Sequence, residues 1–280
     1  MPRVGLATWA KRVPLPDQED ALLAGALREM DVDVRRIIWD RDLLDCDLCV
    51  IRTTWDYFER RDEFLDWVER AARCCPLWNP PELVRWNLHK GYLRELEAAR
   101  VAVPETVFVD DRDIVEVVRE RGWERVIVKP AIGVGAIGSL VASLAEERQL
   151  REHVAALRSQ GDVLAQEYLP SIHTAGECSL VFFDGTLSHA VRKTPATGDY
   201  RAHPYWGATV DRITPSPAQV AVAATALDAA PARPLYARVD LLERDDGGPA
   251  LIELELIEPY LFLDAASAST FARAIRDRLA

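Results

Sequence analysis

The stretch Val128–Ser139, VKPAIGVGAIGS, decides how the rest of the chain is read. Gly133, Gly135 and Gly138 spell G-x-G-x-x-G, the pattern of a dinucleotide loop, but Lys129 and Pro130 stand just ahead of it. A dinucleotide loop must leave a strand and enter a helix, so that the helix N-terminus meets the pyrophosphate. Here SLVAS follows, which reads as a second strand. A Walker A loop ends in Gly-Lys-Ser/Thr, whereas this one runs Gly138-Ser139-Leu140. A protein-kinase glycine loop precedes its strand lysine, and no H-R-D or D-F-G is present. What remains is strand, Lys-Pro, flexible loop, strand. Lys129 is then expected to point into a cleft, with the loop amides folding over a polyphosphate as a lid. The plain alternative is a glycine-rich hairpin loop with an incidental lysine.

Outward from this loop, the chain divides into three parts. The first alternates strand and helix: RVGLATWA, a helix over Pro16–Met30 capped by Asp17, VDVRRIIW, CDLCVIRT and the helix RDEFLDWVERAARC. That alternation predicts a small parallel sheet covered by helices. Pro80 and Pro81 break the chain and set a boundary after residue 82. A helix LHKGYLRELEAA, the segment VPETVFV, a helix near Ile114–Arg121 and the strand RVIVKP form a second part, residues 83–164. From 165 to 280 the chain is β-rich, and ASTFARAIRDRL closes it as a helix.

The 280 residues are 49% hydrophobic and 28% charged, enough for a well-buried core. The net charge of −11 argues against a nucleic-acid binder, whose footprint is basic. No run is long enough for a membrane span. The five cysteines include Cys46 and Cys49, placed on a strand facing opposite ways, with no second pair at zinc spacing. Reduced thiols and a cytoplasmic protein are expected.

Two hairpins carry the chemistry. With Asp246-Gly247 as a two-residue turn, Asp240 falls opposite Glu253 and Arg238 opposite Glu255, all on one face. Val239, Leu241, Ile252, Leu254 and Leu256 take the other. Three carboxylates crowded together should repel, and Mg²⁺ takes such oxygens. Removing Glu253 is therefore expected to leave the metal-free protein as stable or more so. The alternative is a solvated face with an Arg238–Glu255 pair. In the second hairpin, with Asp184-Gly185 as the turn, Glu177 falls opposite Arg192 with Lys193 one step on. Arg201 and His203 follow in TGDYRAH.

This order of segments resembles the ATP-grasp enzymes, most closely the glutathione-synthetase type, from about Asn87 to Pro259. The resemblance implies an α/β protein of ATP-grasp fold, with an N-terminal βαβ substrate lobe and two β-rich lobes sandwiching ATP. It implies phosphate ligands at Lys90 of NLHK and Lys129 of IVKP, beneath a lid holding Gly133, Gly135, Gly138 and Ser139. Adenine would lie on the hinge Gln166, Glu167, Tyr168 and Leu169, with Leu254 nearby and Glu177 near the ribose. Lys193 and Arg201 would act at the γ-phosphate and the reacting carboxyl. Asp240, Glu253 and Glu255 would hold Mg²⁺, two ions by the family pattern, with Mn²⁺ an acceptable substitute. Two departures stand out: Glu255 occupies a usual asparagine position, and the family R-x-N becomes Arg201-Ala202-His203. VIRTTWDY and WNPPELVRWNLHK are also similar to the O-ureido-D-serine cyclo-ligase family of cycloserine biosynthesis.

The resemblance implies an ATP- and Mg²⁺-dependent carboxylate–amine ligase working through an acylphosphate on an amino-acid-like substrate. Trp9, Arg52, Thr54 and the helix start at Asp17 lie where α/β sheets bind ligands, and with His203 they form the expected substrate set. Arg52 is expected to clamp a carboxylate. A small-molecule kinase and a non-catalytic nucleotide-binding regulator remain alternatives. A monomer or a homodimer is equally compatible.

Overall fold

The computed structural model describes residues 1–10 and 18–279, so the expected cap Asp17 lies outside the described residues. Among the described residues three sheets organise the fold, each built where a run of β-branched and apolar residues can be covered. In the first, β1 (Arg3–Thr8), β2 (Asp33–Ile38), β3 (Leu48–Thr53) and β4 (Leu77–Trp78) pair in the order β2-β1-β3-β4. All its pairings are parallel, as the alternating pattern predicts. Helices α1 (Gln18–Arg28) and α2 (Arg61–Cys74) cover it. α2 buries Phe64, Trp67, Val68 and Ala71, spaced at helical intervals, against Trp39 and Tyr57.

The expected single helix Leu88–Ala99 is instead two: α3 (Pro81–Leu88), with proline at its first turn, and α4 (Tyr92–Ala98). His89, Lys90 and Gly91 form the bend between them. Both helices pack with the third sheet, through Leu83, Tyr92, Leu93 and Leu96. The second sheet contains β5 (Thr106–Phe108), β6 (Arg125–Pro130), β7 (Leu140–Ser143) and β8 (Val163–Glu167) in the order β5-β8-β6-β7. α5 (Ile114–Arg121), capped by Asp113 and ended by left-handed Gly122, covers it with α6 (Glu147–Arg158). The sequence reading did not assign α6. β8 crosses the expected boundary at residue 164, because its partners are the strands of this sheet.

The third sheet has the order β11-β10-β9-β12-β13, from β9 (Glu177–Phe183), β10 (Thr186–Thr194), β11 (Thr209–Ile213), β12 (Tyr236–Glu243) and β13 (Pro249–Glu255). α7 (Pro217–Asp228) and α8 (Ala265–Arg276) complete the chain, and α8 packs against α1 in a core shared with the first sheet.

The register of β12 and β13 is Asp240 opposite Glu253 and Arg238 opposite Glu255, as predicted, but the route there differs. The turn carries three residues, with Arg244 N–H bonded to the Gly248 carbonyl at 2.8 Å and Gly247 left-handed at φ 78°. A bulge between Asp240 and Leu241 then restores the count. In consequence Leu251 is buried and Ile252 turns toward the cleft, the reverse of the expected apolar face. In the β9–β10 hairpin a bulge between Leu187 and His189 goes uncompensated. Lys193 therefore stands opposite Glu177, and Arg192 opposite Cys178, correcting the predicted pairing.

Cys46 lies ahead of β3 rather than on it, and its Sγ is 3.7 Å from that of Cys75. All five cysteines are free.

Candidate active site

β13 is an edge strand, and unpaired edge groups need partners. Side chains supply them. Asn87 donates to the Leu254 carbonyl at 2.7 Å and accepts from Leu256 N–H at 2.8 Å. The Tyr92 hydroxyl accepts from Leu254 N–H at 3.0 Å. Asn79 donates to the carbonyls of Leu256 and Tyr236 at 2.7 and 2.9 Å. These bonds hold Glu253 and Glu255 in place from behind. They also occupy Leu254, whose side chain is in the core, so the apolar lining of the nucleotide cleft comes from Leu169, Ile172, Leu242 and Ile252.

The carboxylate oxygens of Asp240, Glu253 and Glu255 lie within 4.8 Å of one another, and hard oxygen donors in this number suit Mg²⁺. Each is also matched by a cation. Lys90 Nζ is 3.0 Å from Glu253 Oε1, and Lys193 Nζ is 3.4 Å from Asp240 Oδ2. Lys193 also pairs with Glu177, and Arg238 bridges Asp240 and Glu255. Ser179, which the sequence reading passed over, donates to Asp240 at 2.5 Å. The crowding expected to destabilise the hairpin is therefore compensated. Burial works to raise the Glu253 carboxyl, yet Lys90 and Lys129 outweigh it and hold it below its ordinary value. Arg238 and Lys193 overcome burial at Asp240 in the same way. Burial prevails at Glu177 and Glu255, both pushed up to about 7.

Lys129 enters the cleft from β6, donating to Gln166 Oε1 at 3.3 Å, and burial lowers it to about 8. Gln166 is held in turn by Thr106, to which it donates at 2.8 Å. Glu167 spends its N–H on the Glu105 carbonyl, and Tyr168 its own on Arg125.

The glycine loop is docked. Lys90 reaches the Ala131 carbonyl with its N–H at 2.8 Å and the Gly133 carbonyl with Nζ at 3.2 Å. Trp206 donates to the Gly135 carbonyl at 3.0 Å, and Tyr200 donates to the Ser139 carbonyl at 2.9 Å. Gly135 and Gly138 adopt φ of 59° and 75°, which only glycine takes without strain. Gly138 faces α6, its carbonyl 2.9 Å from His153 Nε2. Arg201 is gripped by Asp199 and stacks on Trp206, its guanidinium 3.6 Å from the ring centroid.

Two cavities meet here. The narrower, about 130 Å³, lies under the loop along Lys129, the hinge and Arg201. The wider, about 420 Å³, opens toward the first sheet and takes in Trp9, Trp55, Tyr57, His203, Glu258 and Tyr260. Lys90, Glu177, Glu253 and residues 133–137 line both.

Of the expected substrate set, Trp9 and His203 line the wider cavity, and burial lowers His203 to about 4. Arg52 does not reach it. It is 1% exposed, bonded to Glu19, Asp20 and the Pro259 carbonyl at 3.2, 3.1 and 3.3 Å. Glu19 also accepts from the N–H groups of Leu261 and Leu263, so this cluster ties the strap after β13 to the first sheet. Thr54 is fully buried and lines neither cavity. Tyr57 and Glu258 were missed. The only signal was the nearness of Glu258 to the carboxylates of β13.

A lysine-lined cleft beneath a glycine loop, opening on three carboxylates, is the architecture of an ATP-dependent ligase. Residues 93–236 match the prokaryotic glutathione synthetase ATP-grasp domain, and residues 4–79 match the N-terminal domain of D-cycloserine synthetase DcsG. The chain belongs to the ATP-grasp family, ligases that use ATP with a divalent metal to join a carboxylate to an amine. It is 35% identical over 300 residues to the cycloserine biosynthesis protein DcsG of Streptomyces lavendulae, across 99% of this chain and 98% of that protein. The crystal structure of D-cycloserine synthetase DcsG superposes with a TM-score of 0.88 at 31% identity, over 99% of this chain and 100% of that one. D-alanine–D-alanine ligase from Bacillus anthracis complexed with ATP superposes at 0.72, covering 100% of this chain and 97% of that one. At 14% identity it shares the fold. No described helix is long and apolar enough to cross a membrane.

Proposed function

We propose that this ligase is a cyclo-ligase of the O-ureido-D-serine type, closing an amino-acid-derived substrate on its own carboxyl group. The observation that carries this reading is the shared wall of the two cavities. Lys90, Glu177 and Glu253 face both, so a γ-phosphate in the narrow cleft would meet a carboxylate held in the wide one. One carboxylate oxygen attacks the γ-phosphorus and ADP leaves, giving an acylphosphate. A nitrogen of the same molecule then attacks the acyl carbon and expels phosphate.

Lys90, Lys129 and Lys193 neutralise charge on the phosphoryl oxygens, the main way proteins assist this transfer. Arg201, released from Asp199, takes the reacting carboxyl. Asp240, Glu253 and Glu255 would hold the Mg²⁺, two ions in our reading, which supply further neutralisation of the triphosphate. The hinge Gln166–Leu169, with Ile252 and Leu242, would receive adenine. Three functional parts follow the sheets: residues 1–82, then a central part extended to include β8, then the remainder. Free thiols favour the cytoplasm, where the enzyme would act as a monomer or homodimer.

The test is ADP release with O-ureido-D-serine and Mg²⁺-ATP, with the product identified by mass. A cyclic amide supports the reading. ADP with a phosphorylated product would make the protein a kinase, and ATP binding without ADP release would make it a regulator.

A further inference from the structure

Six carboxylates line the wider cavity; Glu59 is exposed to solvent, and four of the other five are already matched. Glu253 has Lys90, Glu177 has Lys193, Asp240 has Lys193 and Arg238, and Glu255 has Arg238. Glu258 differs. It is 8% exposed, lines the cavity, and has no ion-pair partner within 4.0 Å among the described residues. Its backbone is fixed by Trp55, whose Nε1 donates to the Glu258 carbonyl at 3.0 Å. The Tyr57 hydroxyl lies beside its carboxyl group, close enough for each to act on the other's ionisation. Trp9, Trp55, Tyr57 and Tyr260 line the same cavity.

A buried carboxylate without a counter-charge is costly, and a neutral or apolar side chain would serve packing better. An aromatic wall adds a surface that attracts cations through its ring faces. We infer that Glu258, in this aromatic-lined cavity, is the receptor for the free ammonium group of the substrate. The inference rests on the ligase reading of the same site and adds which end of the substrate lies where. The substrate carboxyl faces Lys90 and Arg201, and its ammonium group points toward the first sheet. The ring-closing nitrogen is then a different one, since an ammonium ion-paired with Glu258 has no lone pair to attack with. Burial, together with the neighbouring Glu255, pushes Glu258 up to about 8, so its charged form is favoured only when a cation comes beside it.

A purely structural role for Glu258 beside Tyr57 is the competing account, and binding measurements separate the two. D-Serine and 3-hydroxypropionate differ only by the ammonium group. Each is titrated calorimetrically into the full protein saturated with Mg²⁺ and a non-hydrolysable ATP analogue. The wild type is expected to prefer D-serine by about tenfold or more, the size of one charge-assisted hydrogen bond. Glu258→Gln is expected to erase that preference while keeping its affinity for the ATP analogue. Equal binding of the two acids by the wild type, or binding of neither, overturns the inference without any variant. So does a Glu258→Gln protein that keeps the preference. ADP release by the wild type on O-ureido-D-serine, run alongside, reports on the ligase reading separately. Its absence would sink that reading and leave the ammonium preference measurable.

Discussion

Replacing Glu253 by glutamine tests how the cleft is held together before any ligand arrives. In the metal-free protein Glu253 sits 3.0 Å from Lys90 Nζ and lies in the field of Lys129, with Asp240 as its repelling neighbour. Asp240 is itself neutralised by Arg238 and Lys193, so relieving that repulsion gains little. What is lost is a charge-assisted bond, with a net contribution of about 1.5–3 kcal/mol. Glutamine keeps an acceptor of the same shape, which restores about 1 kcal/mol of it. The expected cost is about 0.5–2 kcal/mol, a fall in Tm of roughly 1–8 °C. The sign also fixes the pH window. A carboxyl held below its ordinary value stabilises above the unfolded pKa, and that contribution fades as pH falls through the folded one. Wild type and variant should therefore differ at pH 7 and converge only in strong acid, once pH has fallen through the depressed folded value. Turnover should drop by about a hundredfold or more with the loss of a metal carboxylate. Saturating Mg²⁺-ATP should raise the wild-type Tm and barely move that of the variant. Thermal melts at pH 7 and in strong acid decide the matter. A metal-free Glu253→Gln protein at pH 7 that melts at or above the wild type would refute the reasoning and restore carboxylate repulsion as the dominant effect.

Three further outcomes are expected. Lys129→Ala should abolish measurable ATP binding by calorimetry. In the wild type the affinity should weaken above about pH 8, because a lysine lowered to about 8 must take up a proton to meet the triphosphate. Trp206→Phe removes the donor to the Gly135 carbonyl, so hydrogen exchange in 133–139 should speed up without nucleotide. Because the cleft of about 130 Å³ is smaller than an ordinary ligand pocket, that loop must lift for ATP to enter, and the variant's nucleotide on-rate should rise. Arg52→Met leaves Glu19 buried without its cation and should cost about 3–5 kcal/mol in urea unfolding. A Glu19→Gln, Arg52→Met double variant should recover part of that loss, whereas a substrate clamp would show itself in KM at unchanged stability.

Local pattern was enough to place the strand–lysine–loop–strand unit with Lys129 and the parallel first sheet, whereas Lys90 came from the family resemblance of NLHK alone. The unit and the sheet each rest on residues adjacent in the chain, where period and turn chemistry act directly. The facing of Asp240 and Glu253 was also legible, although a longer turn and a bulge cancelled in reaching it. The same counting failed one hairpin earlier, where a single bulge moved Lys193 opposite Glu177. A bulge is a response to twist and to neighbouring layers, and its position has no short-range signature.

Arg52 shows the larger gap. At a strand end it reads as a ligand clamp, yet Glu19, 33 residues before it, and Pro259, 207 residues beyond it, enclose it in the interior. Glu258 is the converse case, an ordinary glutamate in the sequence that becomes a buried carboxylate facing a cavity. Which charges are already paired is a property of segments brought together from across the chain. Composition and spacing supply the charges; only packing determines which of them are left to meet a substrate.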